Sequence, residues 1–252
     1  MDIITTAAIA YVTKDGIEKL LGPTFEYYGI GLKNTIENFN NKAKKNLDNI
    51  IQKSIIKKGK KLEEKGLINP RILKEVVMDG SFCDTNVVQE YYSGILACSR
   101  TEAGTDEGIY YINILKGLSS RQLKAHYFIY SKFIKQNKGI NCNLHVEREL
   151  RRFKVNFSTK EIIDNLKLVT KKESDSFLCN DIPAIYQAGL IGSYSFDTTN
   201  KEVEKQFEFS ITLLGVSLFL QALGFSEVFA PRCLNDENIE EIVDNIIPIN
   251  EL

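Results

Sequence analysis

The alternation of apolar and polar positions is sharpest over residues 182–224. Apolar side chains at helical spacing run into Ala188-Gly189-Leu190-Ile191 and a polar stretch follows. Phe207-Glu208-Phe209-Ser210-Ile211 then alternates with period two, and Thr212-Leu213-Leu214-Gly215 opens another apolar run. That order predicts helix, turn, two-stranded ribbon, helix. Gly189 suits the end of the first helix because, lacking a Cβ, it takes a positive φ without a clash. Thr198-Thr199-Asn200-Lys201 supplies a polar tip between the strands. The unit reads as a small winged helix, an architecture that binds nucleic acid or another protein.

The first half is patterned almost wholly for helix. After Gly22-Pro23, apolar residues fall at Phe25, Tyr28, Leu32, Ile36, Phe39, Ala43, Leu47, Ile50 and Ile55. Steps mostly of three or four set them on one stripe of a long amphipathic helix, which at that length packs along a partner helix, breaks near a glycine such as Gly59, or joins a dimer. Within that stripe Phe25, Leu32, Ile36, Phe39, Leu47 and Ile50 are the candidates for burial inside the fold or in a homo-oligomer.

Further helices are predicted at about 70–79, begun by Pro70, and at about 85–99, with Asp84 as cap. Others follow at about 106–116, ending at Gly117, and at about 120–136, capped around Ser119. Residues 137–156 form the least regular stretch. Ser158-Thr159-Lys160-Glu161 is a capping box opening a helix through Ile162, Ile163, Leu166 and Leu168. Residues 171–176 read as a loop, Asp181 and Pro183 start the helix that leads to Gly189, and 235–247 reads as a terminal helix with an acidic face. The fold class is therefore mainly α. It comprises a helical N-terminal region (1–117) with the long amphipathic helix, a winged-helix-like domain (118–225) with one small β-hairpin, and an acidic C-terminal helix or tail (226–252).

Composition changes this picture little. The 252 residues are 43% hydrophobic, enough for a real core, and 32 Lys plus Arg balance 33 Asp plus Glu, so any electrostatic function must come from local asymmetry. Cys83, Cys98, Cys142, Cys179 and Cys233 are odd in number and never spaced Cys-x-x-Cys. Met1-Asp2 leads straight into a helical pattern, so reduced thiols in a cytoplasmic protein are the expectation. Residues 209–225 carry no charge, but Ser210, Thr212, Ser217, Gln221 and two glycines interrupt them. A buried core helix fits that run better than a membrane span.

Two basic groups stand out. Lysines dominate residues 42–65, and Lys57, Lys58, Lys60 and Lys61 are candidate nucleic-acid contacts, set against the simpler reading of a solvated helix face. Arg148, Arg151, Arg152 and Lys154 form the second candidate group, interleaved with Glu147 and Glu149, so local ion pairing competes there. Helix 181–189 offers Asn180, Asp181, Tyr186 and Gln187 but no Arg or Lys, which favours protein contact over groove reading. The only histidines are His126 and His145. Neither sits in a metal-ligand spacing, and no nucleophile elbow or phosphate-binding glycine loop is present, so no catalytic residue, metal or cofactor is assigned.

Three stretches carry a family likeness: Ile17-Glu18-Lys19-Leu20-Leu21-Gly22-Pro23, residues 89–97 with 111–119, and Ala188-Gly189-Leu190-Ile191 with Ile211-Thr212-Leu213-Leu214-Gly215. In this order the chain, over about residues 15–225, resembles the abortive-infection alpha family of bacterial phage-resistance proteins. Tyr91 or Tyr92 stands where that family would lead one to expect a Trp. The resemblance implies a setting, phage defence by stopping or killing an infected cell, and supplies no catalytic residues. The expected partner is another protein, with nucleic acid as the competing partner and a membrane the least favoured.

Overall fold

A computed structural model describes residues 19–22, 41–140, 143–196, 206–226, 234 and 243. The fold is mostly helical with one small three-stranded antiparallel sheet. The chain divides into two compact units, Met1–Lys116 with Gln221–Phe225, and Gly117–Leu220 with Ser226–Leu252.

In the N-terminal unit, helix α1 (Asn41–Lys58) passes into a 3-10 turn (Gly59–Glu63), and α2 (Pro70–Met78), α3 (Asn86–Ser99) and α4 (Gly108–Lys116) follow. Gly59 has φ +52° at the end of α1, a conformation that favours glycine. Helix α3 is buried nearly all round, from Val87 to Ala97, as befits a central helix. Its Asn86 start differs from the expectation. Thr85 occupies the cap position without a side-chain bond, and Asp84 instead accepts from Lys42 Nζ at 2.5 Å. Gly94 lets backbone lie directly on α3, because a Cβ there would sit 1.9 Å from the Gln221 carbonyl oxygen. Leu47 and Ile50 of the predicted stripe are buried; Phe25, Leu32, Ile36 and Phe39 lie outside the described residues.

The C-terminal unit is built on α5 (Ser120–Asn137), opened by a reciprocal cap between Ser119 and Gln122. Next come α6 (Glu147–Leu150), β1 (Lys154–Ser158) and α7 (Thr159–Leu166), the last opened by the Ser158/Glu161 capping box. A helix from 171 to 187 follows, then β2 (Ile191–Phe196), β3 (Gln206–Ile211) and α10 (Leu213–Leu223), whose last turn is counted with the N-terminal unit. The helix from 171 to 187 comprises α8 (Lys171–Ser176), a wider π-turn (Phe177–Asp181) and α9 (Ile182–Gln187).

Two differences from the sequence reading have physical causes. Residues 171–176 are helix rather than loop, because Thr170 and Glu173 make a third capping box. The ribbon gains a third strand, β1, in the stretch read as irregular. Val155 and Phe157 point into the core while Lys154 and Asn156 face out, the period-two pattern of a half-buried strand. The sheet order is β1-β3-β2 with both pairings antiparallel. Phe157 meets Phe128 at 4.7 Å and Phe209 at 5.8 Å between ring centroids, joining sheet to α5.

Candidate functional site

Helix 171–187 is fixed at its middle and open at its ends. Pro183 has no N–H for the preceding turn, and its ring crowds the carbonyl four residues back. The π-turn before it takes up the extra residue, with the Ile182 N–H donating to the Phe177 carbonyl. Buried Asp181 accepts from Arg121 Nε at 2.5 Å and from Gln122 Nε2 at 3.1 Å, tying the helix to α5. Lys171, Lys172, Asp175, Tyr186 and Gln187 are exposed. At the N-terminus, hydrogen bonds from the Thr170 backbone and hydroxyl hold the Glu173 carboxyl below its ordinary pKa.

The junction after β3 holds two buried titratable groups of this unit, Tyr130 and His126. Tyr130 Oη donates to the Leu190 carbonyl at 2.6 Å and accepts from the Thr212 N–H at 3.0 Å. Gly215 is required beside it, since a Cβ there would fall 2.0 Å from that hydroxyl. His126 is fully buried, with Nε2 3.2 Å from the Gly215 carbonyl, so Nε2 carries the proton. Burial drives its pKa from 6.5 to about 3, the bond to Gly215 opposing. Burial also pushes the Tyr130 phenol upward. These two side chains pin backbone.

On the outer face of the sheet lies a cleft of about 630 Å³. A bulge at Gly192, between the pairs Ile191↔Ile211 and Ser193↔Ser210, shapes one wall. Ser193 and Ser210 meet there, hydroxyl to hydroxyl, at 2.8 Å. A Cβ on Gly192 would stand 2.9 Å from Ser210 Oγ, so glycine keeps that wall clear. His145, Arg151 and Lys154 line the cleft, all exposed, and Lys154 Nζ reaches Glu208 at 3.1 Å. Leu144, Leu150, Ile211 and Leu213 supply its apolar part.

Of the second basic group, Arg151 and Lys154 thus share this cleft, while Arg148 and Arg152 are exposed beside them in sequence. The first group does not form one face. Lys57 is a correction: its side chain is 4% exposed, with Nζ 2.5 Å from Glu90 Oε2, 2.7 Å from Ser93 Oγ and 2.8 Å from the Glu90 carbonyl. A lysine so enclosed reaches no phosphate in this fold. Lys53 also pairs with Glu90. Lys58 is half-buried and donates to the Arg100 carbonyl at 2.6 Å. Lys60 and Lys61 are exposed.

Sequence reading missed His145, Gly192, Ser193 and Ser210 as one site. Its single local signal was a glycine inside a strand pattern, the mark of a bulge. Among the described residues, no group of three or more His, Cys, Asp or Glu gathers to hold a metal ion, and no helix is long and apolar enough to cross a membrane. The uncharged run at 209–225 divides into the end of β3 and the 11-residue α10. Compared with protein-family models, curated proteins and solved structures, the chain matches none of them.

Proposed function

We propose that this chain is a non-enzymatic, cytoplasmic protein of bacterial phage defence that acts through protein contacts, using a winged-helix module in its C-terminal unit. One observation carries the module. Apart from the single-turn α6 between α5 and β1, the order α5, β1, α7, helix 171–187, β2, β3, with the sheet running β1-β3-β2, follows that of a winged helix. In such modules the third helix is the contact element. Here that helix presents mixed charge at Lys171, Lys172 and Asp175 and an aromatic, Tyr186, at 47% exposure. Aromatic and mixed polar surface suits a protein partner, whereas a phosphate backbone calls for an excess of cations. The defence setting rests on the abortive-infection resemblance described above.

Plating phages on cells with and without the gene tests this reading. Protection is expected, and Tyr186→Glu should abolish it while leaving the purified protein's melting curve in place. Unprotected cells that nonetheless accumulate folded protein, across a broad phage panel, would count against it. Homo-oligomerisation belongs to the same proposal and is read by light scattering on the full chain.

A second reading, a nucleic-acid-binding regulator, is favoured by the exposure of Arg148, Arg151, Arg152 and Lys154. It calls for gel-shift binding that weakens steeply with salt and disappears in Arg148→Glu/Arg152→Glu.

A further inference from the structure

We propose that the cleft on the outer face of the sheet binds a small phosphate monoester of mononucleotide size. This goes beyond the contact reading, which uses helix 171–187 and does not need the cleft.

The volume of about 630 Å³ falls within the range of small-molecule sites, roughly 300–1,000 Å³. The lining has two chemistries. Arg151, Lys154 and His145 come from the α6 region and β1, and Ser193 and Ser210 from the facing strands. A guanidinium fork, an ammonium and paired hydroxyls make a donor set matched to phosphate oxygens. Leu144, Leu150, Ile211 and Leu213 are hydrocarbon, and they suit the less polar body of an ester rather than a bare ion.

The sheet itself builds this arrangement. The register Lys154↔Ser210 sets a cation directly across from a hydroxyl on β3, and Ser193↔Ser210 adds the second hydroxyl from β2. The three side chains therefore form a row across all three strands. At Gly192 the bulge and the missing Cβ leave the wall beside that row clear. Glu208, the nearby acid on β3, sits opposite Asn156 and Ser195 in register, one outward position along from the row. Its ion pair holds Lys154 over the outer face.

Titration calorimetry on the full chain at fixed low salt tests the proposal with three probes: inorganic phosphate, adenosine 5′-monophosphate and a short DNA duplex. The monophosphate should bind, and more tightly than inorganic phosphate. Arg151→Ala and Lys154→Ala should each weaken it about tenfold or more, the effect of losing a charge-assisted bond. Both positions are exposed, so melting curves should not move. A bulkier wall, in Ser193→Leu, should weaken the monophosphate more than inorganic phosphate. The proposal is overturned by absence of monophosphate binding at millimolar concentration, by variants that bind as the parent does, by phosphate binding equal to that of the ester, or by binding of the duplex alone. None of these outcomes depends on phage protection, so the failure of one proposal is distinguishable from the failure of the other.

Discussion

The N-terminal unit buries Glu90 against two lysines, whereas the C-terminal unit buries His126 and Tyr130 as neutral groups bonded to backbone. In the first, an ion is kept and matched. Burial lowers the Lys57 pKa from 10.5 and Glu90 pushes it back up. In the second, the charged form is suppressed, and the ring and phenol serve as hydrogen-bonding struts. Both solutions satisfy buried polar atoms, but they respond differently to mutation and to pH. A matched ion is sensitive to loss of its partner, and a suppressed ion is sensitive to acid.

The largest effect should come from unmatching the N-terminal ions. Glu90→Gln leaves Lys57 enclosed without a counter-charge and should lower unfolding free energy by about 3–5 kcal/mol in urea titration. The double variant Glu90→Met/Lys57→Met, which removes charge from both partners, should recover most of that loss. If the single variant costs no more than a surface change, the enclosed ion pair is not what organises this unit.

Acid should act through the C-terminal unit. His126 has a folded pKa of about 3 against 6.5 unperturbed, so between those values the unfolded chain binds a proton that the folded chain refuses. Its contribution is complete above pH 6.5 and declines as pH falls through that window. The drop should be about 2 kcal/mol between pH 7 and pH 5. Urea midpoints measured at both pH values, parent against His126→Gln, isolate it; equal pH dependence in the two would contradict a suppressed imidazolium.

Removing the phenol in Tyr130→Phe strips the Thr212 N–H of its acceptor and should cost about 1–3 kcal/mol, read by thermal melting. Smallest of all, Thr170→Ala removes the cap of helix 171–187 and should cost about 1 kcal/mol. Hydrogen exchange should show that loss concentrated at Lys171–Ser176 rather than spread over the unit.

Local signals were legible in the sequence, and contacts between distant segments were not. The caps at Ser119 and Ser158 are written in four residues each, and the structure uses both. Thr170 and Glu173 carry the same signal, but α8, the segment directly after them, has no buried residue, so no apolar period announced it. Strand β1 offers only Val155 and Phe157 to the core amid basic neighbours, and its partner strand lies far along the chain. Lys57 shows the same limit at one residue. Its helix face reads as solvated until Glu90, on another helix, is brought against it. The cleft depends on register across three strands, and Gly192 alone hinted at it.

The wide turn at Phe177–Asp181 sets the rotational phase of everything after it. An α-helix advances about 100° per residue, so Phe177 and Ile182, five apart, would point about 140° apart in an unbroken helix; the wide turn absorbs the extra residue and returns them to one side. In that phase Phe177, Ile182 and Ile185 all face inward. A continuous α-helix through the same residues would carry Ile182 off that inward face. The outward chemistry of the whole helix is thereby tied to a single backbone irregularity, one that no exchange of surface side chains alone could reset.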